Sequence, residues 1–70
     1  MKFQIKHKME GRLRIHLLQE RMSFEQADIF EYYLERLPGV TGVKVYERTA
    51  DAVICFETET KTICSAIRGF

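Results

Sequence analysis

Nine residues, Leu37-Pro38-Gly39-Val40-Thr41-Gly42-Val43-Lys44-Val45, do most to limit what this chain can fold into. Proline disfavours helical geometry in the residue before it, and glycine takes positive φ at no steric cost, so Leu37-Pro38-Gly39 is the exit of a helix. Valines at 40, 43 and 45 then begin a strand, with two inward residues two apart after the turn. A helix must come before this point and a strand must follow it. Both have to turn their apolar sides to one interior.

Upstream, the odd positions from Phe3 to Leu17 read Phe, Ile, His, Met, Gly, Leu, Ile, Leu, while the even ones are Lys2, Gln4, Lys6, Lys8, Glu10, Arg12, Arg14 and His16. Alternation with period two predicts strand with one buried face. The run is long for one strand, so it either bends at Gly11 or folds back there as a hairpin. A three-residue loop Met9-Glu10-Gly11 would pair Ile5 with Ile15 and Phe3 with Leu17. It would also oppose Lys8 to Arg12 and Lys6 to Arg14, which is unfavourable between like charges. After a connection over Leu17 to Met22, Ser23 with Gln26 three residues on forms a capping box, which starts a helix at Phe24. Ala27, Phe30, Leu34 and Leu37 make its inner stripe, with Phe24 and Tyr33 widening it. Glu25, Asp28, Glu31 and Glu35 lie off that stripe.

Downstream, the spacing predicts a strand over Gly42 to Tyr46, a hairpin loop over Glu47 to Asp51 and a strand over Ala52 to Phe56. Ala52, Ile54 and Phe56 are the larger inward set, which leaves Cys55 on the open sheet face. Thr58 is the expected cap of a shorter helix with Ile63, Ala66 and Ile67 inside, ended by Gly69. The order is strand, helix, strand, strand, helix, an α+β arrangement with two helices on one face of an antiparallel sheet.

A chain of 70 residues is one domain, 1–70, with a small core. A net charge of +1 argues against a strongly basic nucleic-acid binder, and no apolar run is long enough to span a bilayer. Cys55 and Cys64 are expected to be free thiols in a reducing compartment, and the chain is read as soluble and cytoplasmic. No Ser-His-Asp order, glycine-rich phosphate loop or paired carboxylate points to catalysis, and so small a chain leaves little room for a pocket. The domain is therefore read as non-enzymatic and without a cofactor.

The element order, the Leu37-Pro38-Gly39-Val40-Thr41-Gly42-Val43-Lys44-Val45 stretch, the apolar third strand and the closing Ala66-Ile67-Arg68-Gly69-Phe70 resemble the heavy-metal-associated domain family. The resemblance covers nearly the whole chain from His7. His7-Lys8-Met9-Glu10-Gly11-Arg12-Leu13-Arg14 is similar to its divergent branch, which carries a Gly-Arg-x-Arg strand and lacks the metal-binding cysteines. It implies a ferredoxin-like sandwich at the N-terminus of a metal-transporting P-type ATPase, or a stand-alone relative, with a regulatory or contact role. The family's metal loop supplies two thiolates at CxxC spacing. Here that region reads Leu17-Leu18-Gln19-Glu20-Arg21-Met22-Ser23, without cysteine or histidine, so no metal-binding residue carries over. The family's last strand is missing as well. Either it lies beyond this sequence, or Lys2 to Lys8 takes its place beside the next strand.

The sharpest surface feature is the outward basic ladder of Lys6, Lys8, Arg12, Arg14 and His16, with Lys2 before it and Lys44 and Tyr46 near it on the second strand. It suits other domains of a parent transporter, an acidic protein surface or anionic lipid. An RNA-binding sheet would need two or three outward aromatics on central strands, so nucleic acid fits less well. A metal carrier using Cys55 and Cys64 would need both thiols on one side of the sheet. His7 and His16 have opposite parity and so belong to different faces of a straight strand, with His7 a satisfied histidine at the core edge.

Overall fold

A computed structural model describes residues 1–19 and 21–70. Glu20, in the expected connection to the first helix, lies outside the described residues. The elements are β1 (Phe3–Met9), β2 (Arg12–Leu17), α1 (Phe24–Glu35), β3 (Val40–Tyr46), β4 (Asp51–Phe56) and α2 (Thr60–Arg68). All strand pairs are antiparallel, and the sheet runs β1-β2-β4-β3.

The N-terminal run is the hairpin rather than the bent strand, and β1 takes the outer place beside β2. Phe3 pairs with Leu17 and Ile5 with Ile15, as parity requires. Beyond Ile5 the register slips, because Lys6 is an extra residue in the strand, and His7, Lys8 and Met9 then face Arg14, Leu13 and Arg12. The reverse turn is Glu10-Gly11, one residue shorter than expected, with Gly11 at φ 77°. The bulge corrects the sequence reading in two ways. The opposed pairs Lys6/Arg14 and Lys8/Arg12 do not form, and His7 and Met9 move from the inner to the outer face.

Helix α1 begins where the capping box puts it. Ser23 Oγ accepts from the Gln26 amide at 3.0 Å, and Gln26 Oε1 accepts from the Ser23 amide at 3.2 Å. Ala27, Phe30 and Leu34 are buried and Leu37 is half-buried. Phe24, the first residue of the helix, is 75% exposed, so it does not widen the stripe. The chain leaves the helix through Gly39 at φ 86°. Strand β3 starts at Val40, earlier than expected, because a register shift between Val40 and Gly42 absorbs the three-residue spacing of Val40 and Val43. Strand β4 turns Ala52, Ile54 and Phe56 inward, all buried. Glu59, not Thr58, is the N-cap of α2, and it makes no side-chain cap bond; Gly69 is the C-cap.

Both helices contribute to one core. Phe30 and Leu34 of α1 and Ile63 and Ile67 of α2 join Leu13, Ile15 and Leu17 of β2 and the inward residues of β4. Cys64 is buried among them, while Ala66 is only half-buried. The Tyr33 hydroxyl donates to the Ala66 carbonyl at 2.9 Å, and the Phe70 ring packs at a tilt against both Phe30 and Tyr33, with centroids 5.1 Å and 4.8 Å away. These contacts tie the helices together on one face and leave the other face of the sheet open.

Candidate interaction surface

The antiparallel register fixes the open face row by row. Met9, Arg12, Cys55 and Gly42 make the first row, His7, Arg14, Val53 and Lys44 the second, and Gln4, His16, Asp51 and Tyr46 the third. Arg12, Arg14 and Lys44 are exposed because each alternates with a core residue. Lys6 and His7 join them because a bulge turns adjacent side chains toward the same side. Lys6, His7, Met9, Arg12, Arg14 and Asp51 line a shallow cavity of about 470 Å³ on this face.

Of the ladder read from sequence, the fold brings Lys6, Arg12, Arg14, His16 and Lys44 together on this face. It does not bring in Lys8. Opposite Leu13, Lys8 belongs to the helix side of the sheet, where it is exposed at the edge. Sequence parity missed His7 and Met9, since nothing in the local sequence marks the bulge at Lys6. Both histidines therefore lie on one face, which corrects their expected separation.

The acid on this face is engaged. Asp51 Oδ1 lies 2.8 Å from His16 Nδ1, and since a carboxylate only accepts, the imidazole nitrogen donates. Burial pushes the Asp51 carboxyl up, but hydrogen bonds from Thr49 and His16 and the charges of His16 and Arg14 outweigh it, leaving its pKa below the ordinary value. Lys6, Arg12, Arg14 and Lys44 make no ion pair among the described residues. Lys44 instead lies 6.0 Å from the Tyr46 ring, a cation over an aromatic face. This partner for His16 was legible only once β4 was laid antiparallel to β2.

The other chemistries do not assemble here. Cys55 sits four residues along β4 from Asp51, about 13 Å away, so the His16–Asp51 pair cannot activate that thiol. Cys55 faces out from the open side while Cys64 is buried on the helix side, so the two thiols of the metal-carrier reading have the sheet between them. Among the described residues no three His, Cys, Asp or Glu side chains are grouped to hold a metal ion. Tyr46 is the aromatic this face offers, on an edge strand rather than a central one. No described helix is long and apolar enough to cross a membrane.

No family model, curated protein or solved structure matches this chain. The functional reading therefore rests on the face itself.

Proposed function

We propose that this chain is a non-catalytic interaction module that docks through its basic open sheet face onto an acidic protein surface. The observation that carries this reading is the set of Lys6, Arg12, Arg14 and Lys44 on one exposed face, with the Asp51 carboxylate on that face already held by His16. Charges left exposed without partners contribute little to folding, but they raise the local concentration of an oppositely charged partner and speed its encounter. Half-buried Val53 and Cys55 within the basic rows suit a protein contact, where apolar and charged side chains alternate, better than a nucleic acid that needs stacking aromatics.

The strand order β1-β2-β4-β3, with α1 joining β2 to β3 and α2 following β4, fits a ferredoxin-like sandwich whose outer strand is supplied by the N-terminal β1. On that reading, and on the resemblance of Gly11-Arg12-Leu13-Arg14 and of the Leu37 to Val45 stretch, the module serves at the cytosolic N-terminus of a metal-transporting P-type ATPase. Sequencing the reading frame downstream of Phe70 tests this placement: membrane helices and an Asp-Lys-Thr-Gly motif support it, and their absence removes it.

The docking reading has its own test. Amide shifts of the labelled protein are followed during titration with polyglutamate, with vesicles containing phosphatidylserine, and with a single-stranded oligonucleotide. The expected result is saturable shifts with polyglutamate, confined to the open-face strands and lost by about 0.5 M salt, where the Debye length is only a few ångströms. Shifts scattered over both faces, or stronger ones with vesicles or oligonucleotide, contradict it.

A further inference from the structure

The molecule has two unpartnered faces of opposite sign. On α1 the outward positions Glu25, Asp28, Ile29, Tyr32 and Glu35 are all exposed, so three carboxylates share this face with two large apolar side chains. Glu31, the remaining acid of that helix, is turned to β3, where its Oε1 accepts from the Val45 amide at 3.2 Å. Arg36, at the C-cap of the helix, lies over the Tyr32 ring at 5.4 Å and donates to its hydroxyl at 3.0 Å, so this face carries one cation beside its three acids. On the opposite side, Val53 lies between Arg14 and Lys44 and Cys55 beside Arg12, with Lys6 on the outer strand β1.

We infer that a second copy of this chain docks here, the acidic outer face of α1 in one copy lying across the basic open sheet of the next. This rests on the docking reading above and names its partner. Two arguments carry it. The charges are complementary, three carboxylates beside Ile29 and Tyr32 on the helix and four cations beside Val53 and Cys55 on the sheet. The sizes match, since a twelve-residue helix is about 18 Å long and the open strands of six or seven residues extend about 20 Å.

The geometry sets the form of the assembly. The helix face and the open sheet face look in opposite directions across the molecule, so one pair of copies cannot exchange both contacts. The contact is head-to-tail, and unless its rotation closes a ring it adds copies without limit. One helix face falls short of the ~800 Å² per partner typical of long-lived complexes, so association is weak and depends on concentration.

Sedimentation equilibrium of the wild-type protein tests the inference. At about 50 mM salt the weight-average mass should climb past the dimer as concentration rises toward about 1 mM, and at about 0.5 M salt association should weaken at least tenfold. Asp28→Lys/Glu35→Lys and Arg12→Glu/Arg14→Glu each set like charges against like, so each variant alone should stay monomeric. Mixed one to one they restore opposite charges at every contact and should associate again. A wild-type protein that stays monomeric at low salt, a mass that stops at the dimer, or a mixture no heavier than its components overturns the inference. If the variants fail to fold, the wild-type concentration and salt series still decides. Polyglutamate shifts on the open face of a monomeric wild type would overturn self-docking alone and leave the docking reading standing.

Discussion

Replacing Gly39 with alanine probes the turn that ends α1. Gly39 has φ 86°, and a Cβ there would lie 2.9 Å from Thr58 Cβ and 3.2 Å from its Cγ2. Holding alanine in left-handed geometry costs about 1 to 2 kcal/mol, of which about 0.4 to 1 kcal/mol is offset because alanine restricts the unfolded chain. Thr58 Cβ is fixed to the backbone, and Glu57 beside it donates to the Gly39 carbonyl at 2.6 Å, so the clash is relieved only by moving that segment. Overpacking of this kind costs about 1 to 3 kcal/mol. The net expectation is about 3 kcal/mol, a fall in Tm of about 12 to 24 °C for a domain of this size. Stability of about 3.5 to 10 kcal/mol is ordinary for 70 residues, so the loss would be large. Thermal melts by circular dichroism measure it. A double-mutant cycle with Thr58→Gly separates the terms, since removing the Thr58 Cβ should recover the packing part and leave the strain. A Gly39→Ala melt within two degrees or so of wild type, or no coupling to position 58, refutes the reasoning.

Other perturbations follow from the same contacts. Phe30→Ala should cost about 3 to 5 kcal/mol, because Phe30 is fully buried between the helices and the sheet; a denaturant midpoint near wild type would place α1 in a different phase. Asp51 binds its proton less readily folded than unfolded, so its contribution is complete above the ordinary carboxylate range and is lost as pH falls through the lowered folded value. Asp51→Asn should therefore flatten the acid limb of stability below about pH 4, and an unchanged limb contradicts the His16–Asp51 contact. Half-buried Cys55 should react with a thiol reagent in the native state, whereas buried Cys64 should react only at the rate of unfolding; equal rates would contradict the placement of Cys64 in the core.

What the sequence disclosed depended on whether a local rule had a competitor. The Ser23/Gln26 box fixed the start of α1, because few other arrangements satisfy the first amides of a helix. The inward set of β4 and the pairing of Ile5 with Ile15 followed from period two and the larger apolar groups. Parity failed at Lys6, since one extra residue reverses every side chain after it and a lysine carries no mark of a bulge. That single residue decided the candidate surface, bringing His7 in and putting Lys8 out. Phe24 looked like core by spacing, but as the first residue of α1 it is left exposed. Thr58 looked like a cap by type, but α2 begins after Glu59 without a side-chain cap. Ala50 is buried at φ 58°, and its carbonyl accepts from the Leu17 amide at 2.7 Å, a left-handed alanine that no residue preference would suggest. His16 and Asp51 lie 35 residues apart, and only the β2–β4 register joins them.

The central claim is that the arginines of β2 are present for binding and not for folding, and the affinity of Arg12→Glu/Arg14→Glu for polyglutamate tests it most directly. Both side chains are exposed and make no ion pair among the described residues, and such surface changes usually stay within about 0.5 kcal/mol of wild-type stability. Titration by amide shifts at about 50 mM salt, where the face acts collectively because the Debye length exceeds about 10 Å, should show binding at least tenfold weaker in a variant whose melt is nearly unchanged. Equal affinity in a folded variant, or loss of folding on reversal of these two charges, contradicts the claim.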